Sequence, residues 1–332
     1  FQVSVGMALV MLVGTLNRVM IVELSVPASL VAVMLALPLL FAPFRTLIGY
    51  KSDTHRSALG WRRVPYIWKG TMLQFGGFAV MPFALLVLAK QGHAVHAPEW
   101  LGLGGAAIAF LMVGAGMHMV QTVGLALATD LTPQEQKPKV VGLMYVMLLV
   151  GMVVASLVFG ALLVDFSPGR LIQVIQGCAL VTLVLNVIAM WKQEGRRPNM
   201  HLAPAPKAPE FADAWRAFIA RPQALRRLIV IGLGTAGFGM SDVLLEPFGG
   251  QILNLTVANT TTLTALLATG TLIGFGLASR ILSRGGDALT LASQGAMVGI
   301  PAFLLVIASA PAAMPILFVL GTLGIGFGAG LF

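Results

Sequence analysis

Lys51-Ser-Asp53-Thr-His55-Arg56-Ser-Ala-Leu-Gly60-Trp61-Arg62-Arg63 is a short basic loop held between two long apolar runs. The runs on either side, 29 to 49 and 66 to 89, each carry the roughly 20 mostly apolar residues that a helix needs to cross a hydrocarbon core. The pattern recurs at 3 to 24, 102 to 129, 140 to 164, 171 to 191, 228 to 248, 260 to 282, 288 to 308 and 312 to 332, about ten runs in all. Composition agrees, with 58% of residues hydrophobic, 10% charged and a mean hydropathy of +0.91, far from the values of soluble domains. The runs are continuous rather than short and alternating, so they predict helices and not the strands of a barrel.

A net charge of +9 and a pI of 10.3 would suit a nucleic-acid binder, but the positions of the charges exclude that class. Lys51, Arg56, Arg62 and Arg63 fall between spans two and three; Lys192, Arg196, Arg197, Lys207, Arg216, Arg221, Arg226 and Arg227 fall between spans six and seven. Loops on the other side hold little net charge: Glu23, Lys90 with Glu99, and Asp165 with Arg170. The positive-inside rule then predicts that the basic loops are cytoplasmic, where they also meet anionic membrane lipids. Trp61, Tyr66 and Trp68 would sit at that interface as belt aromatics.

The stretch from Lys192 to Arg227, with Pro198, Pro204, Pro206, Pro209 and an amphipathic segment around Phe211 to Ile219, is the one long polar connection. It divides the chain into an N-terminal six-helix bundle at 1–191, a cytoplasmic basic linker at 192–227 and a C-terminal bundle at 228–332 with about four helices. The halves echo each other: Gly14 precedes Glu23 by the spacing at which Gly237 precedes Glu246. Gly49 and Asp53 close span two, and Gly274, Arg280 and Arg284 close span eight, with Ala278 where the acid would be. Two similar halves around a basic linker are the layout of parallel-repeat transporters. Phe1 is not an initiator Met and the last residues stop inside an apolar run, so further helices are expected to follow; no cleavable signal is visible. Cys178, the single cysteine, lies in an apolar run and is expected to be a small core residue.

Gly49-x-x-x-Asp53 followed by Gly60-Trp-Arg62-Arg63 resembles the loop signature of the major facilitator superfamily, stretched by a few residues. That resemblance implies twelve helices in two pseudo-symmetric six-helix bundles. The run from Asp53 to Trp68, Gln74-Phe-Gly-Gly, Asn17-Arg18-Val-Met-Ile-Val-Glu23-Leu and Leu245-Glu246-Pro247-Phe-Gly-Gly250 further resemble the bacteriochlorophyll delivery family, the PucC/LhaA light-harvesting assembly proteins. The likeness covers essentially the whole chain. It implies a part in assembling antenna complexes, with bacteriochlorophyll handling proposed. The implied partners are light-harvesting antenna polypeptides or a reaction centre–antenna complex, and the implied location is the intracytoplasmic photosynthetic membrane.

Residue patterns offer three candidate sites. His118 lies near the middle of span four, with Gly114, Gln121 and Thr122 on the same helical face. Glycine beside a neutral imidazole could leave a slot for a flat pigment with His118 as axial ligand to its magnesium; a plain interhelical hydrogen bond is the alternative. Asp242 and Glu246 stand one turn apart on span seven and need a cation or a proton. The superfamily lines its central cavity with the first and seventh helices, so Arg18 is the expected partner. Arg18 and Glu23 are five apart and would point in different directions on an α-helix. This cluster reads as a gate, a proton site or a site for a polar group of the pigment; alternatively Arg18 snorkels and Glu246 ends in water. The third candidate is the loop itself: Asp53 could accept from a helix N-terminus while Arg56, Arg62 and Arg63 bridge helices beside Gly49 and hold the cytoplasmic side closed.

Asn17, Gln74 and Asn186 are expected to hydrogen-bond between helices, and Gly270/Gly274, Gly324/Gly328 and Gly326/Gly330 to allow close internal packing. His93-x-x-His96 has a metal-like spacing with thin acidic support. No Walker loop, His-Glu-x-x-His, nucleophile elbow or Asp-rich diphosphate motif is present, so no enzyme chemistry is expected. The alternative function is a secondary transporter of a small solute, possibly coupled to protons.

Overall fold

A computed structural model describes residues 1–41, 44–55, 57, 60–90, 94, 96–195 and 211–332, with the backbone alone at 54 and 211–214. Arg56, His93, Arg196, Arg197 and Lys207 lie outside the described residues, so the His93/His96 pair and part of the basic linker do too. Every described element is helical. Nine helices among them are long and apolar enough to cross a membrane, and Pro315–Leu331 is a shorter apolar helix after them.

The first span opens as α1 (Gln2–Leu9) and continues in wide π turns at Val10–Leu16 and Val19–Glu23. The second is α2 (Ala28–Leu40), with Pro38 inside it, followed by α3 (Phe44–Thr54). Then come α4 (Val64–Leu88), α5 (Glu99–Asp130), α6 (Lys137–Leu162) and α7 (Pro168–Met190). α8 (Phe211–Ile219) is the short amphipathic helix of the linker. α9 (Ala224–Gln251), α10 (Val257–Ser283), α11 (Ala288–Ser309) and α12 (Pro315–Leu331) form the second half. Each element lies within a few residues of its apolar run. The linker ends earlier than expected, because Ala224–Arg227 already form the first turn of α9; arginine is a good helix former and its head can reach water from there.

Each half packs by the same plan. α4 lies along α5 as α11 lies along α12, and α2 and α3 meet α5 as α10 meets α12. Small residues make both contacts: Gly70 faces the Gly116 backbone, and a Cβ at Gly77 would come within 2.8 Å of the Ala109 carbonyl. In the second half Gly270 and Gly274 press on α12, Gly326 and Gly330 press back on α10, and Gly324 and Gly328 face α11. The small-residue pairs are thus internal, as van der Waals packing in lipid requires. The halves meet where α6 packs on α10 and the π turns of the first span pack on α9 and α10. Asn186 joins three helices, accepting from Ser4 at 2.7 Å and donating to Thr71 at 3.1 Å. Asn17 donates across the halves to the Val243 carbonyl at 2.7 Å. Gln74 is fully buried with neither end of its amide bonded, and Cys178 is buried as expected.

Candidate functional site

The basic loop forms a charge network inside the first half. Arg63 is buried and joins Asp53 at the end of α3 (2.5 Å) to Asp130 at the end of α5 (2.8 Å), and also reaches Ser52 at 2.9 Å. Arg62 adds a second bond to Asp130 at 2.5 Å. Arg62 and Arg63 thus bridge helices as expected of them, while Arg56 lies outside the described residues. The helix N-terminus, however, is served by a different acid: Glu194 accepts from the backbone N–H groups of Arg62 (2.8 Å), Arg63 (2.9 Å) and Val64 (2.9 Å) at the start of α4. The carboxylate lies where the unpaired N–H groups and the helix dipole converge, which Asp53 one loop away does not. Every described member of the network lies in the first half or, like Glu194, just past the end of its last helix, so it clamps one bundle and does not latch the two halves together. Gly49 sits beside Thr122, where a Cβ would find ordinary contact at 3.9 Å.

The π winding of the first span corrects the reading of Arg18. Five residues of an α-helix turn through about 140° beyond one full turn, but a π turn closes from i to i+5 and brings such residues to one side. Arg18 therefore pairs with Glu23 of its own helix at 2.5 Å and donates to the Leu255 carbonyl at 3.0 Å, beside Gly250. Glu246 is buried, not at a wet helix end, and accepts from the Thr264 hydroxyl of α10, while its Oε2 has no partner. Gly14 makes room for it, since a Cβ there would overlap Glu246 Oε1. Asp242 is exposed one turn nearer the basic end of the bundle. Both carboxylates line a central cavity of about 60 Å³ with Leu9, Val13, Gly14 and Thr264.

The His118 face does not form a pigment slot. His118 is buried with its ring facing the Pro38 backbone of α2 and, among the described residues, no well-formed hydrogen bond to either nitrogen, and Pro38 also fills the space beside Gly114. Gln121 and Thr122 are taken by Arg45 of α3, each at 3.0 Å. A drug-sized ligand takes roughly 300–1,000 Å³, so the central cavity cannot receive a macrocycle either. The residues His118, Gly114, Gln121 and Thr122 thus do not fit a bacteriochlorophyll here. Larger spaces lie on the flanks. One of about 410 Å³ between α6 and α7 is lined by Val154, Val158, Gly177 and Val181. Another of about 980 Å³ at the basic end is lined by Trp61, Trp68, Trp191, Lys69 and Lys192.

Arg45, Asp130, Glu194 and Thr264 were missed in the sequence. Arg45 and Asp130 did carry a signal: a charge inside an apolar run, and an acid closing span four as Asp53 closes span two. Thr264 carried none.

The same architecture occurs in solved transporters. A D-xylose–proton symporter superposes with a TM-score of 0.66 at 15% identity, over 99% of this chain and 77% of that one. The inward-facing, occupied bacterial homologue of the lysosomal transporter Spinster gives 0.63 at 16%, over 99% and 71%. By sequence, Protein PucC of Rhodovulum sulfidophilum is 64% identical over all of this chain and 74% of its own length. Protein PucC of Cereibacter sphaeroides is 60% identical over all of this chain and 72% of its own. A more distant relative, the bacteriochlorophyll synthase 44.5 kDa chain of Rhodobacter capsulatus, is 27% identical over 82% of this chain and 60% of its own. The profile described as PUCC protein matches residues 15–332. A helical bundle of the major facilitator superfamily fold, with that profile running over nearly its whole length, belongs to the PucC family.

Proposed function

We propose that this multi-pass membrane protein is a non-catalytic assembly factor for bacterial light-harvesting complexes, holding antenna helices against its lipid-facing flank while bacteriochlorophyll is delivered there. The setting would be the intracytoplasmic photosynthetic membrane, with the basic loops in the cytoplasm by the positive-inside rule. The observation that carries this reading is where free space lies: about 60 Å³ inside the bundle against about 410 and 980 Å³ on its flanks. A client whose apolar face is as long as the membrane is thick can meet a flank, but not a cavity that size. The family and the bacteriochlorophyll named in one relative's description supply the chemistry of the client. The test is affinity purification from phototrophic cells, with and without a block in bacteriochlorophyll synthesis. Antenna polypeptides should be retained in both cases. Retention of none, together with solute counterflow in liposomes that Asp242→Asn abolishes, would instead identify a secondary transporter.

A further inference from the structure

Asp242 and Glu246 are the two acids of the central cavity, and among the described residues no basic side chain is bonded to either. Their i, i+4 spacing puts both on one face of α9. Glu246 is 2% exposed; Oε1 accepts from Thr264, while Oε2 is buried without any hydrogen-bond partner. No hydrogen bond or ion pair reaches Asp242 among the described residues. The nearby cation, Arg18, is already committed to Glu23 and to the Leu255 carbonyl. A carboxylate sealed in a low-dielectric interior, with its nearest cation engaged elsewhere and a second acid one turn away at the cavity mouth, is unfavourable. The fold nevertheless holds it in place: Gly14 leaves the space for Glu246, and Thr264 orients it.

We propose that the cavity is a binding site for a small monovalent cation, seated between the carboxylates of Asp242 and Glu246 and the Thr264 hydroxyl. Size supports this class. A water needs roughly 10–15 Å³ of such space, so about 60 Å³ admits an ion with a few waters and excludes an organic cation. Ligand number supports it too. Ca²⁺ takes six to eight oxygens and Mg²⁺ keeps several waters of a rigid octahedral shell, more than this small space provides, since its wall is largely Leu9, Val10, Val13, Leu245 and Leu263 and the Thr322 hydroxyl is turned to the Phe318 carbonyl. Asp242, exposed at the mouth, would receive the ion before the sealed Glu246 does. The walls come from both halves, since Gly14 and Met152 belong to the first and Asp242, Thr264 and Thr322 to the second. An ion held there would therefore tie the halves together across their seam.

The test uses the chain in lipid nanodiscs and reads its thermal unfolding midpoint in NaCl against choline chloride at equal ionic strength. Na⁺ binding to the folded state should raise the midpoint in a saturable way. Asp242→Asn and Thr264→Val should each raise the half-saturating Na⁺ concentration about tenfold or more. Glu246→Gln should lose the response and, in choline, unfold near the Na⁺-bound midpoint of the parent, because the uncompensated charge is gone. That last readout separates loss of the site from loss of the fold. No Na⁺ effect on the parent, an effect that survives Glu246→Gln, or a midpoint that follows pH alone would overturn the proposal.

Discussion

Glu194 shows how one side chain can fix the geometry of a loop. Its two oxygens gather three successive backbone N–H groups at the start of α4, leaving the Arg62 and Arg63 side chains free to reach Asp130 and Asp53. Replacing a capping acid by alanine usually costs about 0.5–2 kcal/mol. Glu194→Ala should therefore lower the unfolding midpoint measurably in detergent, with Glu194→Asp intermediate. His118 makes the opposite case. A buried ring with no well-formed hydrogen bond, only the Pro38 backbone facing it, carries a desolvation cost of roughly 1–3 kcal/mol, so His118→Leu should leave stability unchanged or raised. Pigment co-purifying with the protein should also survive that substitution; loss of its absorbance would show that α2 withdraws Pro38 to admit it. His118 stood out in the sequence because imidazole in an apolar run is rare, but what fills the neighbouring space depends on which helix packs there. Glu194 was unremarked for the matching reason: its partners are backbone groups, which no residue pattern names.

Among the elements, the helices were legible because lipid leaves the backbone no other partner. The winding of the first span was not, since Val10–Leu16 and Val19–Glu23 carry the same apolar residues as an ordinary helix. That difference changed the partner of Arg18. The glycine contacts between α4 and α5 make a close backbone seam in the first half, with Gly116 against the Gly70 carbonyl and Gln74. Gly116→Val would force backbones apart and should destabilise by about 1–3 kcal/mol or more, seen as a lowered midpoint and reduced yield from membranes. α11 begins just after Asp287, an exposed cap whose carboxylate accepts the Thr290 N–H and hydroxyl at 2.8 Å each. Those bonds, the backbone one first, hold its carboxyl below the usual range. A group depressed in the folded state stabilises above its unfolded value of about 4 and loses that contribution as pH falls through the folded one. The midpoint gap between the parent and Asp287→Ala should accordingly be constant near neutrality and close in acid.

The two halves share a packing plan but not their polar fastenings. Asp53, Arg63, Asp130 and Glu194 clamp four helices of the first half at its basic end. The second half has Ala278, buried, at the position corresponding to Asp53. Bonds between the halves run from the first span, Asn17 to Val243, Arg18 to Leu255 and the Thr15 hydroxyl with that of Thr261, away from that basic end. The repeat itself could be read from Gly14/Glu23 and Gly237/Glu246; the asymmetry needed the positions of Asp130 and Glu194 in space. Arg45 adds a consequence for biosynthesis. Its guanidinium is held by Gln121 and Thr122, which the ribosome makes 76 and 77 residues later. An arginine inside a span opposes insertion by up to about 2.5–3.5 kcal/mol at the centre and less toward the end where Arg45 lies, so the second span should leave the translocon only provisionally until the fourth emerges. Nascent chains stopped before residue 100 should then release that segment to alkaline extraction or leave it glycosylatable on the wrong side, and Arg45→Leu should cure the defect.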